Sequence, residues 1–213
     1  MADTTIDYPA KLKIDYPERQ LNRLTSFFRI FTVIPIAIIL ALLTGPGTSW
    51  RQHASGWTMG SASGVGILFF ATLLMIVFQQ KYPKWWFDWN LAITRFGYRV
   101  LSYLSLFTDV YPSTDEEQSV HIDIPYPDVK KDLNRWYPIF KWFLAIPHYI
   151  ILVFLDCAAF VCVIIAWFAI LFTGKYPRGL FDFVVGVYRW DIRVVAYAFM
   201  LVTDKYPPFS LEQ

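Results

Sequence analysis

Residues able to do chemistry are few and scattered along this chain. Its three histidines, His53, His121 and His148, fall in different regions, and only His121 has a carboxylate close by in sequence, Asp123. Such a pair in an extended segment decorates a surface far more often than it forms a base and its orienter. His148, beside Pro147 in an apolar run, reads as a packed polar residue bonded to a neighbouring helix. Cys157 and Cys162 lie in the same run without His or carboxylate ligands nearby, so they read as packing or lipid-facing residues and no metal site is expected. Nothing resembles a catalytic centre. Neither an enzyme activity nor a cofactor is expected.

Arginines and aspartates, in contrast, recur at a chemically meaningful spacing. On a helix from Trp86 to Phe107, at ~100° per residue, Asp88, Ala92, Arg95, Arg99, Ser102 and Leu106 share one narrow stripe. A second helix from Leu180 to Leu201 repeats it with Asp182, Gly186, Arg189, Arg193 and Ala196. Lys81 and Lys84 precede or open the first helix, and Lys175 and Arg178 precede the second. Guanidinium forks and ammonium groups at headgroup depth suit the phosphate oxygens of an anionic phospholipid, or carboxylates on a membrane protein partner or a second copy. Two arginines inside a span would cost about 2.5–3.5 kcal/mol each even on a lenient scale. An interfacial position avoids most of that cost. The rival arrangement sends both helices through the bilayer with arginines against carboxylates, as in a small transporter or channel. Asp191 stands where the first copy has Gly97, points away from Arg189 and Arg193, and needs a partner from another helix or a second subunit.

The elements that position these stripes are apolar. The 213 residues are 56% hydrophobic, 19% aromatic and 17% charged, more apolar than a soluble domain of this length. A net charge of +2, with no basic domain, gives no reason to expect nucleic acid. Phe140 to Phe172 carries only Lys141 and Asp156 as formal charges, and Phe27 to Leu43 and Ile67 to Phe78 are also apolar. These runs predict an integral membrane protein. Met1 to Gln20 lacks the pattern of a cleaved signal peptide and is expected to stay on the cytoplasmic side.

The chain also nearly says the same thing twice. Leu21-Asn22-Arg23 recurs as Leu133-Asn134-Arg135, Arg29 matches Lys141, Lys81-Tyr82-Pro83 matches Lys175-Tyr176-Pro177, and Thr108-Asp109 matches Thr203-Asp204. The two units run over 1–113 and 114–213, with the acidic linker Ser113 to Ser119 at the boundary. The extra residues of the first unit belong in the loop from Thr44 to Ser63. The first unit predicts an extended N-terminal segment, a hairpin over 24–79 and an amphipathic helix over 86–107. The second predicts an extended segment over 114–127, an apolar hairpin or one long helix over 137–172, and an amphipathic helix over 180–201. A turn at Asp156 would have neither Gly nor Pro, but a hairpin in each unit keeps every basic flank on one side.

The run from Phe172 to Trp190, FTGKYPRGLFDFVVGVYRW, followed by Arg193, Ala196-Tyr197 and TDKYPPFSLE from Thr203, resembles the DUF4389 family of uncharacterised bacterial membrane proteins. The resemblance implies a multi-pass protein of the bacterial inner membrane and carries no activity with it. Together these readings predict an all-α integral membrane protein of two tandem repeats. Each is a transmembrane hairpin followed by an amphipathic interfacial helix, with short extended segments and both termini on the cytoplasmic side. The expected function is that of an accessory or scaffold protein binding a membrane partner or anionic lipid.

Overall fold

A computed structural model describes residues 8–17, 21–44, 64–114, 116 and 118–212. Most of the expected Gly/Ser/Trp loop, with Arg51 and His53, lies outside the described residues. In chain order the elements are β1 (Lys11–Ile14), α1 (Arg23–Thr44), α2 (Gly64–Leu74), α3 (Lys84–Leu104), β2 (Val120–Asp123), α4 (Val129–Asp132), α5 (Tyr137–Leu144), α6 (Ile146–Thr173) and α7 (Arg178–Val194). Two π-helical turns, Met75–Gln79 and Val195–Phe199, continue α2 and α7.

The elements stack in three layers. α1, α2, α5 and α6 form one outer layer, α3 and α7 the middle one, and the two strands the layer on the opposite side. α6 packs on α7 and on α1, α1 packs on α3, α7 carries β1, and α3 carries β2. β1 and β2 pair antiparallel with Leu12 opposite Ile122 and Lys13 opposite His121. Their strict alternation sends Leu12, Ile14, Val120 and Ile122 inward and the charged residues outward, as a sheet with one wet face requires. α7 is buried on successive residues from Val184 to Val187, as expected of a helix covered on more than one side.

The two transmembrane hairpins expected from the sequence are not formed. α6 runs unbroken through Asp156 for 28 residues, because nothing at that point disturbs its backbone ladder. The break falls instead at Ala145, where Pro147 has no N–H to continue the preceding helix and sits in the first turn of a new one. α6 ends at Gly174, whose left-handed φ of 73° lets its N–H reach the Ile170 carbonyl. In the first half, α1 is bent by 50° between Arg23–Arg29 and Phe31–Leu40. α2 is only 11 residues long before its π-helical turn of five. Among the described residues, Tyr137–Thr173, α5 and α6 taken together, is the one helical stretch long and apolar enough to cross a membrane, or one of two if the bent pair is counted. The amphipathic helices are likewise not laid free at an interface: α3 and α7 are sandwiched between the apolar layer and a sheet absent from an all-α description.

Contacts recur in pairs across the molecule. The Asn22 amide donates to Asp109 at 2.8 Å, and the Asn134 amide donates to Asp204 at 2.7 Å. The Tyr16 hydroxyl donates to the Tyr176 carbonyl, and the Tyr126 hydroxyl to the Tyr82 carbonyl. Leu106 and Leu201, both buried, take φ of 66° and 57° where the chain leaves α3 and the turn after α7. Each strand is held by the amphipathic helix of the other half, β1 by α7 and β2 by α3.

Candidate functional site

The arginine stripes face the strands. Arg95 donates from Nε and Nη2 to the Ile122 carbonyl at 3.3 and 3.0 Å, and Arg189 donates from Nε to the Leu12 carbonyl at 3.3 Å. Those acceptors are the two residues paired at the centre of the sheet. Arg99 is buried and donates to the Ser113 carbonyl at 2.8 Å. Arg193 is buried and donates to the carbonyls of Arg189 and Glu212. Burial pulls the Arg189 and Arg193 guanidinium groups below their usual range, against Asp182 for the former and Tyr8 for the latter, which favour the charge. All four arginines fasten extended chain to helix. Their forks meet backbone oxygens, which accept as a phosphate would but carry no full charge.

The remaining candidate residues behave differently. Lys81, Lys84, Asp88, Lys175 and Asp182 are exposed, and Arg178 lies over the Tyr16 ring at 4.7 Å with its side chain at the surface. Lys84 and Arg178 open α3 and α7, and Lys81 and Lys175 stand three residues before them, where the helix dipole adds positive potential. Trp85 and Trp89, both exposed, accompany the first pair. Asp191 accepts from the Tyr98 hydroxyl of α3 at 2.7 Å, the neighbouring-helix contact a carboxylate on that face requires. Burial pushes the Asp191 carboxyl up to about 6, while the Tyr98 bond works in the other direction. The Tyr188 hydroxyl completes this polar seam with Ser105 at 2.6 Å.

Two buried cations escaped the reading of the sequence. Arg29 bends into the molecule, pairs with Asp109, donates to the Tyr103 carbonyl at 2.9 Å and lies over the Tyr103 ring at 4.5 Å. Lys141 does the same from α5: its Nζ stands 2.6 Å from Asp204, 2.8 Å from the Thr203 carbonyl and 5.4 Å from the centre of the Tyr197 ring. The signal was present in the sequence. Arg29 and Lys141 match, and so do the Thr-Asp pairs that close each half, but nothing in linear order joins the cation to the carboxylate.

The histidines stay apart. His148 is buried, accepts from the Trp190 indole at 3.0 Å and stacks on Phe209. His121 meets Asp15 at 3.0 Å on the surface, not Asp123. No group of His, Cys, Asp and Glu able to hold a metal occurs among the described residues.

The fold and site thus define a layered, mainly helical protein with one long apolar helix on its outside and with Arg95, Arg99, Arg189 and Arg193 bonded to its own backbone. Residues 135–210 match the family model described as Domain of unknown function (DUF4389), so this part of the chain is similar to that family. Neither a curated protein nor a solved structure matches the chain.

Proposed function

We propose that the protein is an accessory or scaffold protein of a membrane. Its outer helices lie in lipid, its exposed cations bind anionic phospholipid headgroups, and its sheet side docks a membrane protein partner or a second copy. The observation that carries this reading is the outward face of α6. The best apolar window of the stretch from Tyr137 to Thr173 has a mean hydropathy of 2.8 and only 17% of it is buried within the molecule. Phe154 and Phe172 are 71% and 78% exposed. The core helix of a soluble protein would bury such residues, because each large apolar side chain left in water forgoes ~1.5–3 kcal/mol.

Both ends of α6 touch the polar layer, which favours immersion from one side over a crossing. Lys141 and Leu144, just before α6, meet Thr203 and Tyr206, and Tyr8 bonds Lys205. At its other end Arg23 donates to Phe172, and Tyr16 bonds Tyr176. The segment from Tyr8 to Tyr16 therefore runs alongside α7 over much of the length of α6. A perpendicular crossing would carry those charges and strand edges into hydrocarbon. The paired contacts support descent from a duplicated unit. They also set β1, Ser113 and Glu212 on the arginine side of α3 and α7, the side we assign to the cytoplasm of a bacterial inner membrane. The transporter reading gains no support, since Arg95, Arg99, Arg189 and Arg193 are spent on backbone carbonyls.

Lys81, Lys84, Lys175 and Arg178 are exposed and would meet headgroups. Reversing all four to Glu should lower phosphatidylglycerol retained after gentle extraction by several fold, read by native mass spectrometry, with the helical content unchanged. At ~1 kcal/mol per basic residue near an anionic surface, four reversals are ample for such an effect. Equal lipid retention by the parent and the variant would sink the headgroup assignment.

A further inference from the structure

We infer that a cavity between α3 and the C-terminal part of α7 binds a free lipophilic amine, held as its ammonium ion by Asp191 with its hydrocarbon part against Ile93, Phe69 and Phe199. The cavity measures about 330 Å³, at the lower end of the range for small-molecule sites. At ~30 Å³ for a methylene-sized group, by analogy with liquid water, it has room for roughly ten heavy atoms.

Its chemistry is one-sided. Among the described lining residues Asp191 is the sole charged side chain, and no Lys, Arg or His faces it. Thr94 donates to the Asn90 carbonyl and Asn90 donates an N–H to the Trp86 carbonyl, both in their own helix, at 2.8 and 2.9 Å. The Asp191 carboxylate receives a hydrogen bond from Tyr98 and no ion pair from the described residues. Asp156 of α6 adds like charge, and Tyr149 of α6 and Tyr188 of α7 lie within electrostatic reach. A carboxylate placed so is stabilised by an incoming cation. Aromatic and aliphatic walls suit the carbon attached to an ammonium group, and Phe69, Tyr98 and Phe199 offer ring faces. With no cation to meet a phosphate, a zwitterionic phospholipid headgroup is a poor occupant.

The two halves contribute differently to the cavity. Gly97 stands 94 residues before Asp191, the same interval that separates Lys81 from Lys175, and both line the space. A Cβ built on Gly97 meets nothing within 4 Å. One half thus supplies a charge and the other supplies room.

The test uses the full chain in phosphatidylcholine nanodiscs at roughly pH 8, above the Asp191 titration. Three shape-matched probes, phenethylamine, 2-phenylethanol and 3-phenylpropionate, are titrated calorimetrically. Saturable binding of the amine is expected, roughly tenfold or more tighter than the alcohol, with no binding of the acid. Asp191→Asn keeps an acceptor for Tyr98 and should reduce the amine to the affinity of the alcohol. Gly97→Leu fills the cavity without touching the charge and should abolish binding of both while leaving the unfolding temperature equal or higher. Failure of the parent to bind the amine, equal binding of amine and alcohol, a preference that survives Asp191→Asn, or binding that survives Gly97→Leu would each overturn the assignment. Discs of phosphatidylethanolamine should leave amine binding unchanged; competition there would transfer the site to a lipid headgroup and overturn the free-amine assignment.

Discussion

Lys141 is 0% exposed and yet keeps a carboxylate, a carbonyl and an aromatic ring around its ammonium group. Its partner is less enclosed, since the Asp204 side chain retains 25% of its accessible surface. The two members of the pair should therefore respond unequally to removal. Asp204→Ala strands a buried cation and is expected to cost about 3–5 kcal/mol of unfolding free energy. Lys141→Met leaves the buried Oδ1 of Asp204 without its partner, while the rest of the carboxylate stays partly exposed and keeps the Asn134 amide, and is expected to cost roughly 1–2 kcal/mol, near the price of leaving one polar group unsatisfied. The double variant Lys141→Met/Asp204→Ala should recover most of the loss of Asp204→Ala, because no charge is then left buried. Urea unfolding in detergent micelles, followed by tryptophan fluorescence, reads all three. Equal losses for the two single variants would mean that the pair is solvated and that the burial argument fails.

At the scale of elements, the C-terminal tail lies across α7 where the helix has no side chain. A Cβ on Gly186 would stand 3.0 Å from the Leu211 Cβ and 3.2 Å from its carbonyl oxygen. Gly186→Val should lift the tail and break the bond from Arg193 to Glu212, exposing residues 206–212 to protease while α7 stays helical. Limited proteolysis with mass mapping checks this; a tail equally resistant in both forms would refute the close-contact account. The same helix indicates how far sequence reasoning reaches. Helical period alone put Gly186, Arg189 and Arg193 on one stripe, and their contacts lie with β1 and the tail on that side. What period could not supply was the acceptor. A guanidinium fork fits a phosphate, a carboxylate or a backbone carbonyl alike, and only tertiary placement put Leu12, Ile122, Ser113 and Glu212 in reach. Continuity of the long apolar run was only partly legible: one long helix over 137–172 stood beside a hairpin, the lack of Gly or Pro at Asp156 argued for the helix, and the basic flanks argued for the hairpin. The asymmetry of Gly97 and Asp191 could be read from the sequence, but the cavity it opens could not.

On the scale of the whole molecule, the three layers make one claim that a topology experiment can decide. If the outer layer sits in lipid from one side, the two ends of α6 belong to the same face of the membrane; if α6 crosses, they belong to opposite faces. The helix is 28 residues long, about 42 Å at 1.5 Å per residue, so length does not choose, since it exceeds the ~30 Å of a hydrocarbon core. The contacts at its ends do choose. Lys205 follows the Lys141 pocket near the start of α6, and Lys175 follows Gly174 at its end; both side chains are exposed. Placing one cysteine at either position, in a background with Cys157 and Cys162 replaced by Ala, gives two exposed reporters. In sealed vesicles of defined orientation, a membrane-impermeant maleimide should label Lys175→Cys and Lys205→Cys from the same side, with comparable rates. Labelling from opposite sides would mean that α6 crosses the bilayer and takes β1 and α7 with it. The strand edges and the Arg189 and Arg193 contacts would then stand at membrane depth, where only protein or water could satisfy them. That outcome would overturn one-sided immersion while leaving the amine cavity, which depends on neither arrangement, to its own test.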